Sequence, residues 1–322
     1  MTNIPLVDGY AHIGQPRFQT VETALSVMGR FGISSALICP FETCPDLNEV
    51  HRGIIEHPDK FVAYGLPLGS SEAEVVTGLH AQIDAGFSGA RISTDRILEV
   101  PAALETLGQR GAVPLVVGRD ALANVAGKLV DFLDAYPESI VVSPHMAGPM
   151  RADVLTANSA VRALYSHPSF HVVLSRQTLF DPAIARDWVY GLIETVGPQR
   201  LMWGSEVPVL FWRDETPAEA AAWFAQFDLS QADALAFYAG NAQRTLLARP
   251  RALPAPLALP YEPFDFEVKA PAPMFPLGFA ADNRIPEPLF AKWIAAGGPD
   301  ASTLADFTSR LLRAALENES MG

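Results

Sequence analysis

Cysteine is almost missing from this chain. Cys39 and Cys44 are the two in 322 residues, and they form no Cys-x-x-Cys pair. Neither a cysteine zinc site nor a disulfide framework is indicated. Charge is also scarce: 18% of residues are Asp, Glu, Lys or Arg, against about 25% in an ordinary globular chain. With a hydrophobic fraction of 49%, this argues against disorder and for a large core. Positive charge is the scarcer sign. Lys and Arg number 23 against 36 acidic residues, a net charge of −13, which argues against a nucleic-acid or anionic-membrane surface role. An anionic substrate stays open, since a pocket can be locally basic. No apolar run reaches the roughly 18 residues of a membrane span, and no basic segment with a following apolar run opens the chain. A cytoplasmic protein is the expectation.

What the chain does contain is alternation. Short apolar or β-branched runs at residues 4–9, 35–39, 62–66, 89–92, 114–117, 140–143, 171–174 and 201–204 are separated by amphipathic stretches of helical length. The helical stretches are 20–30, 47–57, 72–85, 101–110, 121–135, 155–166 and 182–196, with 217–227 and 231–247 after the last strand. Strands that are apolar throughout are buried on both faces. Eight such alternations predict a parallel sheet closed as a (β/α)8 TIM barrel over residues 1–249. An open, doubly wound sheet is the runner-up. It usually carries a Gly-rich phosphate turn after its first strand, and Gly9-Tyr10-Ala11-His12-Ile13-Gly14 is not one.

Composition changes at Arg249. Residues 250–276 hold eight prolines, which exclude helix and favour extended chain. The same arm carries Tyr261, Phe264, Phe266 and Phe275. Aromatics are sparse in disordered linkers, so the arm is expected to lie against a surface, and as a lid it would send these rings into the pocket. Residues 277–322 read as a C-terminal extension with helices at 286–296 and 304–317. Leu304, Phe307, Leu311, Leu312 and Ala315 form an apolar stripe, which must be buried on the barrel or on a partner subunit. A homodimer through this extension is one of those two arrangements.

In such a barrel, chemistry gathers where strands end. The first strand supplies Asp8, Tyr10 and His12, which at a spacing of two share one face. The second gives Cys39, Phe41 and Glu42. The fourth gives Arg91, Ser93 and Asp95, and the fifth Arg119 and Asp120. Later strands give His145, then Ser175, Arg176 and Gln177, then Ser205 and Glu206. Each has a bland alternative: His145 as a hydrogen-bonded core histidine, Glu206 as a cap or ion pair, Arg91 and Arg176 as rim salt bridges, Asp120 as a helix cap. Burial costs an unpaired arginine several kcal/mol, so an inward Arg91 or Arg176 needs a carboxylate from the protein or from a ligand. Trp203, Phe211 and Trp212 read as core or as an aromatic pocket wall. The remaining histidines, His51, His57, His80, His167 and His171, read as structural.

With these residues in place, the sequence resembles the amidohydrolase superfamily, in particular the amidohydrolase-2 group. The resemblance spans about residues 4–248. It rests on the Asp8…His12 strand, the His145-Met-Ala-Gly turn, Leu201-Met-Trp-Gly-Ser-Glu206-Val-Pro and Tyr238-Ala-Gly-Asn241-Ala-Gln-Arg-Thr-Leu. It implies a (β/α)8 barrel and membership among metal-dependent decarboxylases, hydratases and lactonases, some of which work without metal. The departures bear on the metal. Tyr10 replaces the first histidine of the group's Asp-x-His-x-His strand, Gly118 stands at the fifth strand's ligand histidine, and Glu206 stands where the group has aspartate. If a metal is held, the ligands would be His12, His145 and Glu206 with Zn2+ or Mn2+. A structural or catalytic zinc site needs three or four such donors converging, so a site without a metal cofactor is favoured.

The expected function is hydrolysis, of lactonase type, of a small anionic substrate. Glu206 would be the general base, with His12 and His145 polarising the carbonyl. Tyr10 would add a hydrogen bond or protonate the leaving oxygen. Arg91, Arg119 and Arg176 would hold carboxylates through bidentate forks, with Trp212 against the substrate. The alternatives are a metal-dependent decarboxylase or hydrolase of an aromatic acid, and a catalytically degenerate barrel used for binding.

Overall fold

The computed structural model describes residues 5–15, 17–249, 252–266, 274–276 and 284–319. Its strands are β1 (Leu6–His12), β2 (Ile33–Cys39), β3 (Phe61–Gly65), β4 (Gly89–Ser93), β5 (Val113–Val117), β6 (Val141–Ser143), β7 (Phe170–Leu174) and β8 (Leu201–Trp203). They lie side by side in sequence order, each parallel to the one before. β8 returns to β1 through Glu206 N–H to Tyr10 O (2.8 Å) and His12 N–H to Val207 O (2.7 Å). The sheet is therefore a nearly closed (β/α)8 barrel. Two glycines let β1 and β8 approach. A Cβ on Gly9 would sit 3.0 Å from Trp203 O, and one on Gly204 would sit 3.2 Å from Tyr10 N. β1 runs three residues past the expected end, which brings Tyr10 and His12 into the strand itself.

The barrel interior is packed by Val7, Leu37, Val62, Tyr64, Leu115, Val142, Val173 and Met202. Leu246, from the helical segment after β8, joins this cluster. Asn241 Nδ2 donates to the carbonyls of Leu201 (2.6 Å) and Pro198 (2.8 Å). Those contacts seat the closing helix against the start of β8, at the end opposite the strand-end loops. Side-chain caps start most outer helices: Thr20, Ser71, Ser93 and Asp181 each accept from a first-turn N–H, which satisfies donors that have no helical partner.

The proline-rich arm crosses the outer helical layer. His51 Nε2–H donates to Ala255 O (2.7 Å), and Leu257, Leu259, Tyr261 and Phe266 pack against the main core. Tyr261 lies over Gly78, where a Cβ would collide with its ring. The side chain of Phe275 lies outside the described residues. Helices Glu287–Ala295 and Leu304–Glu319 follow. Phe290, Trp293, Ile294 and Leu304 are buried with Phe18, Phe211 and Trp212 in a second cluster formed by this chain's own loops. Leu311 stays exposed, and the side chains of Leu312 and Ala315 lie outside the described residues. Among the described residues, no helix is long and apolar enough to cross a membrane.

Candidate functional site

β1 does not keep its simple alternation. Its register with β2 shifts between Asp8 and Ala11, an irregularity that re-aims side chains. The expectation that Asp8, Tyr10 and His12 share one face is corrected by this shift. Asp8 turns to the β1–β8 seam, where its carboxylate accepts Ser205 N–H (2.9 Å), the Ser205 hydroxyl and Tyr10 N–H (3.1 Å). Burial nevertheless pushes its carboxyl up to about 6. The Asp8–Ser205 bonds fasten the end of β8 to β1 and so place the next residue, Glu206.

Glu206 has φ 62°, a left-handed backbone that a non-glycine residue adopts only when its surroundings hold it. The same is true of His145 (φ 57°) and Arg176 (φ 63°). All three follow strands β6, β7 and β8, and each bends its side chain toward the barrel axis. Trp188 Nε1–H and the Tyr165 hydroxyl anchor the His145 turn by donating to Met146 O (2.7 Å) and Ala147 O (3.2 Å).

These turns gather one buried cluster. The Tyr10 ring meets His12 edge-on, 4.8 Å between centroids, and His145 edge-on at 4.9 Å. Arg91 Nε–H donates to the Tyr10 hydroxyl (3.1 Å), and its Nη1 pairs with Glu42 (2.5 Å). Arg91 also lies over the Phe41 ring, 4.2 Å from its centroid. Glu206 is fully buried. Its Oε1 takes Arg176 and its Oε2 takes Arg213 Nη1 (2.9 Å). Burial alone would raise the Glu206 carboxyl, but Arg176 and Arg213 outweigh it and hold it well below the usual carboxylate range.

Both histidines are neutral, chiefly because burial disfavours the imidazolium: His12 is pushed down to about 3 and His145 well below its ordinary value. His12 Nδ1 lies 3.1 Å from Cys39 O. A carbonyl only accepts, so Nδ1 carries the proton and Nε2 keeps its lone pair. Ser175 Oγ accepts His145 N–H (3.1 Å) and lies 3.2 Å from His145 Nδ1. That hydroxyl can give a proton to Nδ1 or take one from it, so the contact is compatible with either neutral tautomer of His145. His145 Nε2 has no hydrogen-bond partner and lies 3.8 Å from Glu206 Oε1, beyond hydrogen-bond reach. It is a buried ring nitrogen with no partner. Cys39, beside His12, is a thiol that burial pushes up to about 12, which leaves it without nucleophilic character.

Over this cluster opens a cavity of about 980 Å³, at the upper end of the range for small-ligand sites. Its wall includes Phe41, Arg91, Arg119, His145, Arg176 and Phe180. Of the residues expected to form a site, Arg91, Arg119, Arg176 and His145 thus face one space. Tyr10, His12 and Glu206 sit at the same barrel end, buried, and are not part of the cavity wall. Trp212 is not in the wall either. It stacks on Phe18, 5.9 Å between centroids, within the second core cluster. No described residue of the proline-rich arm lines the cavity. Arg213 and Glu215 escaped the sequence reading. Arg213 closes a buried apolar run, Val209–Arg213, and a charge at such a place was the available signal. Glu215 lies 3.6 Å from Arg213 and takes bonds from Gln177 and Thr178 Oγ1 (3.0 Å for the latter).

The fit of a metal can be judged from the donors. Among the described residues, no three His, Cys, Asp or Glu side chains are grouped to hold one ion. The Tyr10 ring contacts both His12 and His145 edge-on, and two guanidinium groups take the Glu206 oxygens that a cation would need. These residues do not fit a zinc or manganese site.

The chain is similar to proteins of one superfamily. A family model described as Amidohydrolase matches residues 4–247. No curated protein matches. Among solved structures, an amidohydrolase from Burkholderia multivorans with bound zinc is 16% identical, with a TM-score of 0.59 over 76% of this chain and 100% of that one. A probable 2-pyrone-4,6-dicarboxylic acid hydrolase from Acinetobacter baumannii with citric acid bound is 15% identical, with a TM-score of 0.58 over 74% and 98%. A dihydroxybenzoic acid decarboxylase from Polaromonas sp. JS666, with manganese and 2-nitroresorcinol, is 13% identical, with a TM-score of 0.55 over 75% and 96%. At these identities the structural likeness concerns the fold.

Proposed function

The chain belongs to the amidohydrolase family, and on that premise we propose that it hydrolyses a small anionic lactone without a tightly held metal. The observation that carries the reading is the cavity wall: three arginines, Arg91, Arg119 and Arg176, beside His145 Nε2, which has no hydrogen-bond partner and is the protonated ring nitrogen in this reading. Guanidinium forks suit carboxylates. A neutral N–H aimed at the reacting carbonyl suits the oxyanion that forms there. The structural relative described as a probable 2-pyrone-4,6-dicarboxylic acid hydrolase lends the substrate class support.

In this reading, Glu206 takes a proton from water and the hydroxide adds to the lactone carbonyl carbon. His145 Nε2–H bonds the carbonyl oxygen as it gains charge. The ring C–O bond then breaks as the Tyr10 hydroxyl gives its proton to the leaving oxygen, and the proton held by Glu206 returns to the Tyr10 oxygen. His12, fixed as an acceptor by Cys39, orients the water rather than the oxyanion. In the resting protein both Glu206 oxygens are engaged, so the base acts only after one of them is released.

The test is ring opening of carboxylated lactones followed by acid release in a pH-stat with chelator present. One acid equivalent per ring opened supports the proposal. Failure with every such lactone overturns it. Activity that disappears with chelator and returns with zinc or manganese also overturns it, in favour of the second reading, a metal-dependent decarboxylase or hydrolase of an aromatic acid. The manganese-bound decarboxylase relative is the observation behind that reading. The ion pairs Arg176–Glu206 and Arg91–Glu42 are those a purely binding barrel would also hold, but the open cavity above them favours an enzyme.

A further inference from the structure

The two arginines on Glu206 are not equivalent. The Arg213 side chain is buried, 4% exposed, and its guanidinium also approaches Glu215. Glu215 is in turn held by Gln177 and Thr178, the two residues after Arg176. This ring of contacts anchors the loop after β7 and fixes Arg213 in place. Arg176 is different. Its side chain is 29% exposed and lines the cavity, while its guanidinium reaches down to Glu206 Oε1. One cation thus serves a buried carboxylate below and an open space above.

We propose that Arg176 is an exchangeable latch: an anionic ligand entering the cavity takes its guanidinium from Glu206 Oε1, while Arg213 keeps Oε2 in place. Arg176 contacts the ligand in this scheme, and it acts on Glu206 by leaving it. The exchange conserves charge pairing on both sides. Glu206 retains one cation, and the ligand gains a fork that was intramolecularly occupied. The freed Oε1 faces His145 Nε2, 3.8 Å away in the latched state, so a water fits the role of third member. That catalytic consequence rests on the reading of Glu206 as base, whereas the latch itself rests on the shared guanidinium.

Citrate, a compact tricarboxylate, is the probe, titrated calorimetrically at constant neutral pH. Glu206 competes with the ligand for Arg176, so Glu206→Gln is expected to tighten citrate binding at least tenfold. Removing a nearby negative charge also tightens anion binding through the field alone. The same substitution is therefore made in an Arg176→Met background, where the latch predicts that most of the gain is lost. An equal gain in both backgrounds, or no gain, overturns the latch and leaves the anionic-substrate reading standing. Citrate bound by neither wild type nor Glu206→Gln overturns both. A crystal structure of the wild type with citrate decides the matter even if a variant fails to fold. Arg176 on a citrate carboxylate supports the latch, and Arg176 still on Glu206 with citrate bound overturns it.

Discussion

Arg213 Nη1 donates to Glu206 Oε2 across 2.9 Å, and both side chains are buried. Removing one partner of a buried pair costs about 3–5 kcal/mol when the other charge is stranded, and Arg176, still on Oε1, lowers the cost here to about 2 kcal/mol. Arg213→Met is therefore expected to destabilise the fold by that order, read from denaturant unfolding. A loss below about 1 kcal/mol would mean that Arg176 alone neutralises Glu206.

Arg119 is the opposite case. It is exposed at the cavity wall and makes no ion pair among the described residues. Arg119→Ala should leave the unfolding free energy within about 0.5 kcal/mol. It should weaken binding of a carboxylated ligand about tenfold, the equivalent of about 1.4 kcal/mol. An affinity equal to wild type removes Arg119 from the ligand's contacts.

His171 supplies a pH dependence at the other end of the barrel. Burial first, then Arg200, Arg244 and Arg249, push its imidazolium from 6.5 down to about 4. Between those values the unfolded chain binds the proton and the native chain does not. Stability from this group is complete above pH 6.5 and is lost as pH falls toward 4. His171→Gln should lack that loss, so the stability gap between wild type and variant should change by about 2 kcal/mol between pH 7 and 4.5. Parallel pH curves would show that His171 titrates alike folded and unfolded.

The arm is predicted to depend on one close approach. The Tyr261 ring occupies the space a Cβ would need on Gly78 in helix Glu72–Asp84. Gly78→Val should displace the ring, cost about 1–3 kcal/mol of overpacking, and speed proteolytic cleavage within residues 252–266 about tenfold. Cleavage at the wild-type rate would place the arm's anchor elsewhere, at the His51–Ala255 bond or the packing of Leu257 and Leu259.

The barrel was legible because its signal is local. Apolar runs of strand length and amphipathic stretches between them recur eight times, and neighbouring strands in sequence became neighbours in the sheet. Placing Arg91, Arg119, His145 and Arg176 at strand ends was enough to bring them to one cavity, since parallel strands all finish at one rim. Trp212 shows where that argument stops. It lies past β8 as expected, yet the C-terminal helices supply Phe290 and Trp293, and the ring joins their cluster instead of the cavity wall.

By itself, then, the order of residues determined the alternation, and through it which polar side chains stand at the same rim. Only the tertiary structure decided which of those charges neutralise one another. The register shift in β1 sent Asp8 to Ser205, and left-handed turns at His145, Arg176 and Glu206 set the reach of each side chain. Ion pairing and hydrogen bonding depend on separations of a few ångströms. Residues 30 and 7 positions apart, Arg176 and Arg213 from Glu206, acquire such separations only when the chain has closed around them.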